Sequence, residues 1–194
     1  MYEIPKEIEI NDKKFKIRHD GDYRVILDCF NALNDDELSD KEKVLTSLII
    51  FYADINGIED LDKLGDIELA VSKMYDFFNC GEKESSGAKS NSKLIDWELD
   101  SQLISSAINK VANMEIRAIE YLHWWTFMGY YMAIGESPLS NIVGIRSKIA
   151  KGKKLEKHEK EFKQQNPQYF SFDTRTVEQK DAEELARQLW NNGK

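Results

Sequence analysis

The amino-acid sequence predicts a mainly α protein: a single helical domain of about six core helices, with a small N-terminal β-hairpin and a C-terminal helical extension. Three observations carry this expectation. Apolar residues recur at three- and four-residue spacing through most of the chain, which gathers them on one face of a helix. Period-two alternation is confined to residues 7–18. The periodic segments are punctuated by capping residues and by breaks such as Asn56-Gly57 and Asn166-Pro167.

In the hairpin, Ile8 and Ile10 alternate with Glu7 and Glu9, and Phe15 and Ile17 alternate with Lys14, Lys16 and Arg18. Asn11-Asp12 between them tolerates the left-handed backbone of a tight turn. Two strands alone are marginal, so the hairpin must lie on helices. Tyr23, Ile26, Leu27, Phe30 and Leu33 mark the first helix, with Asp20 as its expected N-cap. The second starts at Ser39, where Glu42 completes a capping box, and carries Val44, Leu45, Leu48, Ile49, Tyr52 and Ile55 as far as Asn56-Gly57. The third runs from about Asp66 through Ala70, Val71, Met74, Phe77 and Phe78, and Asn79 to Gly81 close it.

Residues 81–93 carry no apolar side chain larger than alanine, the composition of a flexible loop. Beyond them Trp97, Leu103, Ile104, Ala107, Ile108 and Val111 form the face of a helix beginning near Asp96. Ile116, Ile119, Leu122, Trp124, Trp125, Phe127, Met128, Tyr131 and Met132 read as one further helix, apolar around most of its circumference and therefore central. Gly135 and Pro138 break it, and Leu139, Ile142, Val143, Ile145 and Ile149 give the next. From Arg146 to Lys163 the chain turns basic and reads as a solvated helix with charge pairs at helical spacing. The stretch from Val177 to Trp190, with Leu185, Leu189 and Trp190 on one side, reads as a last amphipathic helix. The expected organisation is a helical domain at 1–150 and a basic, amphipathic extension at 151–194.

Composition narrows the function. The chain is 41% hydrophobic and 32% charged, as a soluble globular protein is. No apolar run reaches the roughly 20 residues of a spanning helix, and Met1 to Ile10 lacks the apolar core of a signal peptide, so a cytoplasmic protein without a membrane partner is expected. Cys29 and Cys80 stand apart from any metal-ligand spacing and read as reduced thiols. The net charge of −8 argues against general nucleic-acid binding. That charge is uneven. Residues 1–100 hold 24 Asp and Glu against 13 Lys and Arg, while residues 101–194 hold 11 against 14.

Catalytic patterns do not emerge. His19, His123 and His158 form no paired metal spacing, and no glycine cluster stands at a helix start to cradle phosphate. His123, inside the apolar segment, reads as a structural histidine whose neutral form burial favours. Asp96 and Asp100 would share a helical face, but N-capping explains them better than acid–base chemistry. The aromatic residues Tyr121, Trp124, Trp125, Phe127, Tyr130 and Tyr131 read as core, with Trp125 the expected centre of packing. No enzyme activity and no cofactor are expected.

Several segments in this order and spacing resemble one family. They are Asp22-Tyr23-Arg24, Phe51-Tyr52, Met74-Tyr75-Asp76-Phe77-Phe78-Asn79-Cys80-Gly81, Asp96 with Asp100, His123-Trp124-Trp125-Thr126-Phe127, and Ile145-Arg146. Together they resemble the bacteriophage "gp fifteen" family of long-tailed phages and prophages of Gram-positive bacteria, over about Ile8 to Tyr169. The resemblance implies a place in the tail module beside the tape-measure gene, where tail assembly chaperones are encoded. It therefore implies the tape-measure protein as partner, with tail-tube or other assembly proteins beside it, and no catalytic residues. It also raises production from the downstream frame of a frameshifted pair. Tyr23, Phe77, Phe78, His123, Trp124, Trp125 and Phe127 are the expected structural residues. Arg146, Lys153, Lys154, Lys157, Leu185, Leu189 and Trp190 are the candidate partner-binding residues, and deleting the chain after Lys151 is expected to leave the helical body folded but to abolish partner binding. A structural tail or neck component and a small prophage regulator of nucleic acid stay open as alternatives, and so does oligomerisation.

Overall fold

Residues 3–82 and 94–170 are described by the computed structural model. Their order is β1 (Glu7–Ile10), β2 (Lys13–Lys16), α1 (Tyr23–Leu33), α2 (Asp40–Phe51), α3 (Ile67–Phe78), α4 (Ser101–Ala112), α5 (Trp124–Met132), α6 (Pro138–Ala150) and α7 (Lys157–Gln165). Short 3₁₀ turns lie at Arg18–Gly21, Ile58–Leu64, Ile116–Ala118 and Pro167–Phe170. The fold is mainly α, with one two-stranded antiparallel sheet among the described residues. The chain groups into two compact units, residues 1–83 with 108–134 and residues 84–107 with 135–194, so the division falls within α4. A line at 150 runs between α6 and α7, both of which belong to the second unit. The loop expected at 81–93, beyond Glu82, and the helix expected at Val177 to Trp190 lie outside the described residues.

In the first unit the hairpin closes at Asn11 and Asp12, whose φ angles of 48° and 64° are the left-handed pair of a two-residue turn. Ile8, Ile10, Phe15 and Ile17 are buried on its inner face. The hairpin is fastened to the end of α2, where Ile17 bridges Tyr52 and the Ala53 N–H donates to the Lys16 carbonyl at 2.9 Å. Asp22, rather than the expected Asp20, caps α1 by accepting from the Arg24 N–H. Asp20 instead lies in the preceding 3₁₀ turn with left-handed backbone, where it cannot present its carboxylate to the helix start. α2 has the expected capping box of Ser39 and Glu42. It ends at Phe51, because Tyr52 turns extended to meet the hairpin, and Ile55 is buried from the turn that follows. α1 and α2 approach closely at two small residues, Cys29 and Ser47, both fully buried, with the Ser47 hydroxyl donating to the Lys43 carbonyl at 2.8 Å.

The segment expected as one apolar helix from Ile116 to Met132 is divided. Ile116–Ala118 is a 3₁₀ turn, residues 119–122 carry no helix, and α5 begins only at Trp124. The cause is a pair of partners supplied by the start of α1, one from its backbone and one from the Asp22 carboxylate. The Tyr23 N–H donates to the Leu122 carbonyl at 2.9 Å, and the Leu122 N–H donates to Asp22 at 2.9 Å. These replace helical bonds that the apolar pattern could not distinguish from them. Packing also differs from expectation. Trp124, 1% exposed, is the central residue and Trp125 is half-buried, so α5 turns its first indole inward. Trp124 meets Phe30 and stacks near Phe127, which in turn stacks on Tyr23 at 4.6 Å. Phe51, Phe77 and Phe78 complete the aromatic core with edge-to-face contacts.

In the second unit, α4 begins at Ser101 rather than near Asp96, after a turn capped by Asp96, which accepts from the Glu98 and Leu99 N–H groups. α6 starts with Ser137 as N-cap and Pro138 at its first position, where the missing N–H costs nothing. Leu139, Ile142 and Ile145 are buried. α7 follows a six-residue connection, and Phe162 on it meets Phe170 edge to face.

Candidate partner-binding surface

The lysines expected to meet a partner lie in the second unit. Lys153 and Lys154 are exposed in the connection from α6 to α7, and Lys157 is the first residue of α7. The connection is fixed at both ends. Gly152, at φ 64°, ends α6, and the Lys153 N–H donates back to the Lys148 carbonyl at 2.8 Å. Glu156 and Glu159 form a reciprocal cap at the start of α7. Within this basic stretch the acidic residues are mostly engaged by structure. Glu159 is buried and pairs with Lys148 at 2.6 Å, and the lysine beside it holds its carboxyl below the ordinary range. Lys153 and Lys154 have no ion pair among the described residues, and Lys157 has only Glu161 at 4.0 Å. A cation at the N-terminal end of a helix opposes the helix dipole, so Lys157 is not there for the benefit of α7. The expected solvated helix is thus shorter than the charge run, which divides into the end of α6, the connection and α7.

Arg146 does not belong to this surface. It is fully buried and makes a two-pronged ion pair with Asp100, at 2.6 and 2.9 Å. Its remaining N–H groups donate to the carbonyls of Leu94 at 3.0 Å and Tyr169 at 2.6 and 2.8 Å. Asp100 also accepts from the Asp96 N–H at 3.0 Å. One buried pair therefore joins the start of α4, the middle of α6 and the end of the described chain. Four of these bonds go to backbone carbonyls or N–H groups that no side-chain pattern reveals. The spacing of Asp96 and Asp100 signalled capping, but not that Asp100 would be a counter-ion. Leu185, Leu189 and Trp190 lie outside the described residues.

The residues expected as structural gather in the first unit. Tyr23, Phe77, Phe78, His123, Trp124 and Phe127 are buried there. His123 caps α5: its Nδ1 accepts from the Trp125 N–H at 3.1 Å, so Nε2 carries the proton and donates to the Pro5 carbonyl at 2.9 Å. Both ring nitrogens are used by the neutral form, and burial holds the imidazole's pKa below its ordinary value. Gly21, at φ 80°, lies against this ring. A β-carbon there would stand 2.9 Å from Phe77 and 3.1 Å from His123 Nε2, which leaves no room for alanine.

Two arginines escaped the sequence reading. Arg18 donates to the carbonyls of Ile49, Ile50, Tyr52 and Ile55, all within 3.1 Å, and so closes the C-terminal end of α2. Arg24 pairs with the buried Asp22 at 3.0 Å and donates to the Ile119 carbonyl at 2.7 Å. All of these partners of Arg18, and the Ile119 carbonyl that Arg24 reaches, are backbone groups distant in sequence, which no side-chain pattern reveals. Among the described residues no group of three or more His, Cys, Asp and Glu could hold a metal ion, and no helix is long and apolar enough to cross a membrane.

Residues 1–171 match the family model described as Bacteriophage Gp15 protein. No curated protein matches the chain, and no solved structure matches it.

Proposed function

The chain belongs to the bacteriophage Gp15 protein family, a phage structural or assembly protein, and from that membership we propose that it is a tail assembly chaperone that binds the tape-measure protein during tail morphogenesis. The supporting observation is the match over residues 1–171, which takes in the basic connection between α6 and α7. A chaperone of this kind works by reversible binding and needs no catalytic centre. Exposed lysines without ion partners at Lys153 and Lys154 suit it, because they can meet acidic positions on a long helical client without first breaking an existing pair. In this reading the protein acts in the cytoplasm of the bacterial host and uses no cofactor.

The test is co-expression with a tape-measure protein from the same phage or prophage. The expected result is a tape-measure protein that is soluble only when this chain is present, and that co-purifies with it. If the tape measure stays as insoluble as before and nothing co-purifies, the chaperone reading fails. A search of purified virions for this chain then tests the structural-component alternative.

A further inference from the structure

The first unit leaves the outer edge of β1 unpaired among the described residues. In a hairpin closed by a two-residue turn, Ile10 and Lys13 form the first hydrogen-bonded pair, so the pairs alternate from there. Ile8 with Phe15 is the next bonded pair, and the Ile17 N–H donating to Lys6 at 2.9 Å continues the alternation. Glu7 and Glu9 fall between, and their N–H and C=O groups turn away from β2. The same parity is visible on the other strand, where Lys16 turns its carbonyl outward to Ala53. On the β1 edge the Pro5 carbonyl is taken by His123. The next two outward positions, Glu7 and Glu9, have no backbone partner among the described residues.

Beside this edge is a cleft of about 230 Å³ lined by Ile8, Glu9, Lys73, Phe77, Gly81 and Trp125, among others. Trp125 is held across it by its indole N–H, which donates to the Phe77 carbonyl at 3.0 Å. Gly81, at φ 76°, leaves space that a β-carbon would take, since one there would stand 3.3 Å from the Trp125 ring. The edge thus offers unpaired main-chain groups next to an apolar trough, the two components of strand addition.

We propose that the β1 edge receives an extended segment of a protein partner with a cation–apolar–cation pattern, added as a third strand. Directly opposed residues of an antiparallel pair share a face. Residues opposite Glu7 and Glu9 therefore lie beside two exposed carboxylates, which Lys16 and Lys14 oppose from β2 and of which Glu7 stands 3.9 Å from the Lys14 ammonium, and the residue between them, opposite Ile8, faces the Trp125 cleft. The same charges disfavour a second copy. Two β1 edges paired antiparallel would set Glu7 and Glu9 against Glu9 and Glu7, like charges directly opposed. This surface does not depend on the lysines of the second unit or on the identity of their partner.

The experiment is amide hydrogen exchange on the isotope-labelled full chain, with and without the peptide acetyl-Lys-Val-Lys-Val-Lys-amide. The expected result is slowed exchange at the Glu7 and Glu9 N–H groups. In the Glu7→Lys, Glu9→Lys double variant, whose side chains are exposed, affinity should fall about tenfold, and Glu-Val-Glu-Val-Glu should become the better ligand. Unchanged exchange at Glu7 and Glu9 overturns the proposal, and so does equal binding of the permuted peptide Lys-Lys-Lys-Val-Val. Slow exchange at these amides in the protein alone also overturns it. A concentration-dependent slowing assigns the edge to a second copy, and a concentration-independent one to another part of the chain.

Discussion

Asp100 and Arg146 are both removed from water, and their worth depends on staying together. Desolvating two charges costs several kcal/mol per ion, and the pair offsets this only because the guanidinium's other donors reach Leu94 and Tyr169. Asp100→Ala would leave a buried cation without a counter-charge, and should lower unfolding free energy by about 3–5 kcal/mol in urea titration. A loss below about 1 kcal/mol would mean that water reaches the guanidinium. His123 sets a second condition at the same scale. Its folded pKa is lowered by burial, while the unfolded chain titrates near the ordinary histidine value. Above that value both states are neutral and the contribution is complete. As pH falls through it the unfolded chain takes up a proton and the folded one does not, so stability drops until the folded pKa is reached. Carboxylates also protonate in acid, so the comparison is with His123→Asn, which keeps a capping acceptor but does not titrate there. The difference in Tm between the native chain and this variant should shrink or reverse between about pH 7 and pH 5. A difference independent of pH would assign His123 no part in acid sensitivity.

At the scale of elements, legibility followed whether an element's signals were local. The hairpin carried its own turn residues in Asn11-Asp12, and α2 carried its own capping box, so both could be read directly. Asp66 likewise marked the start of α3. The division of the Ile116 to Met132 segment could not be read, because Tyr23 and Asp22 supply the competing bonds from about a hundred residues away. Trp124 and Trp125 were indistinguishable for a related reason, since a segment apolar on nearly all sides does not say which side faces inward. Among the partner-binding candidates, exposure at Lys153, Lys154 and Lys157 followed from composition, while burial at Arg146 depended on a counter-ion 46 residues away. The same long-range pairing alters the expected effect of truncation. Cutting after Lys151 removes the Tyr169 carbonyl from Arg146 and Glu159 from Lys148, so the remaining helices do not keep their partners. A chain ending at 151 should therefore be less stable than one ending at 170, by about 1–3 kcal/mol for the orphaned guanidinium donors. Equal denaturation midpoints and equal slopes for the two truncations would contradict this.

For the whole molecule the decisive property is the uneven charge. A chain of net charge −8 repels acidic partners at long range, yet places exposed lysines at 153, 154 and 157 together within a short stretch. Screening separates these two scales. The long-range repulsion fades as the Debye length shortens from about 14 Å at 0.05 M salt to about 4 Å at 0.5 M, whereas a contact between lysines and an acidic client weakens over the same range. If the lysines carry binding, affinity for the tape-measure protein should fall monotonically with salt. If net repulsion dominated, it should rise. The charge-reversal variant Lys153→Glu, Lys154→Glu, Lys157→Glu discriminates further. All three side chains are exposed, and an acidic residue at the start of α7 agrees with the helix dipole where Lys157 opposes it. Its Tm should stay close to that of the native chain, because the gain at the helix dipole offsets the lost Lys157–Glu161 contact at 4.0 Å, while under the proposed function co-purification with the tape-measure protein is lost and salt no longer weakens what remains. Such a separation of stability from binding is expected only of residues whose charge serves a partner. A fall in Tm together with binding would return these lysines to a structural role.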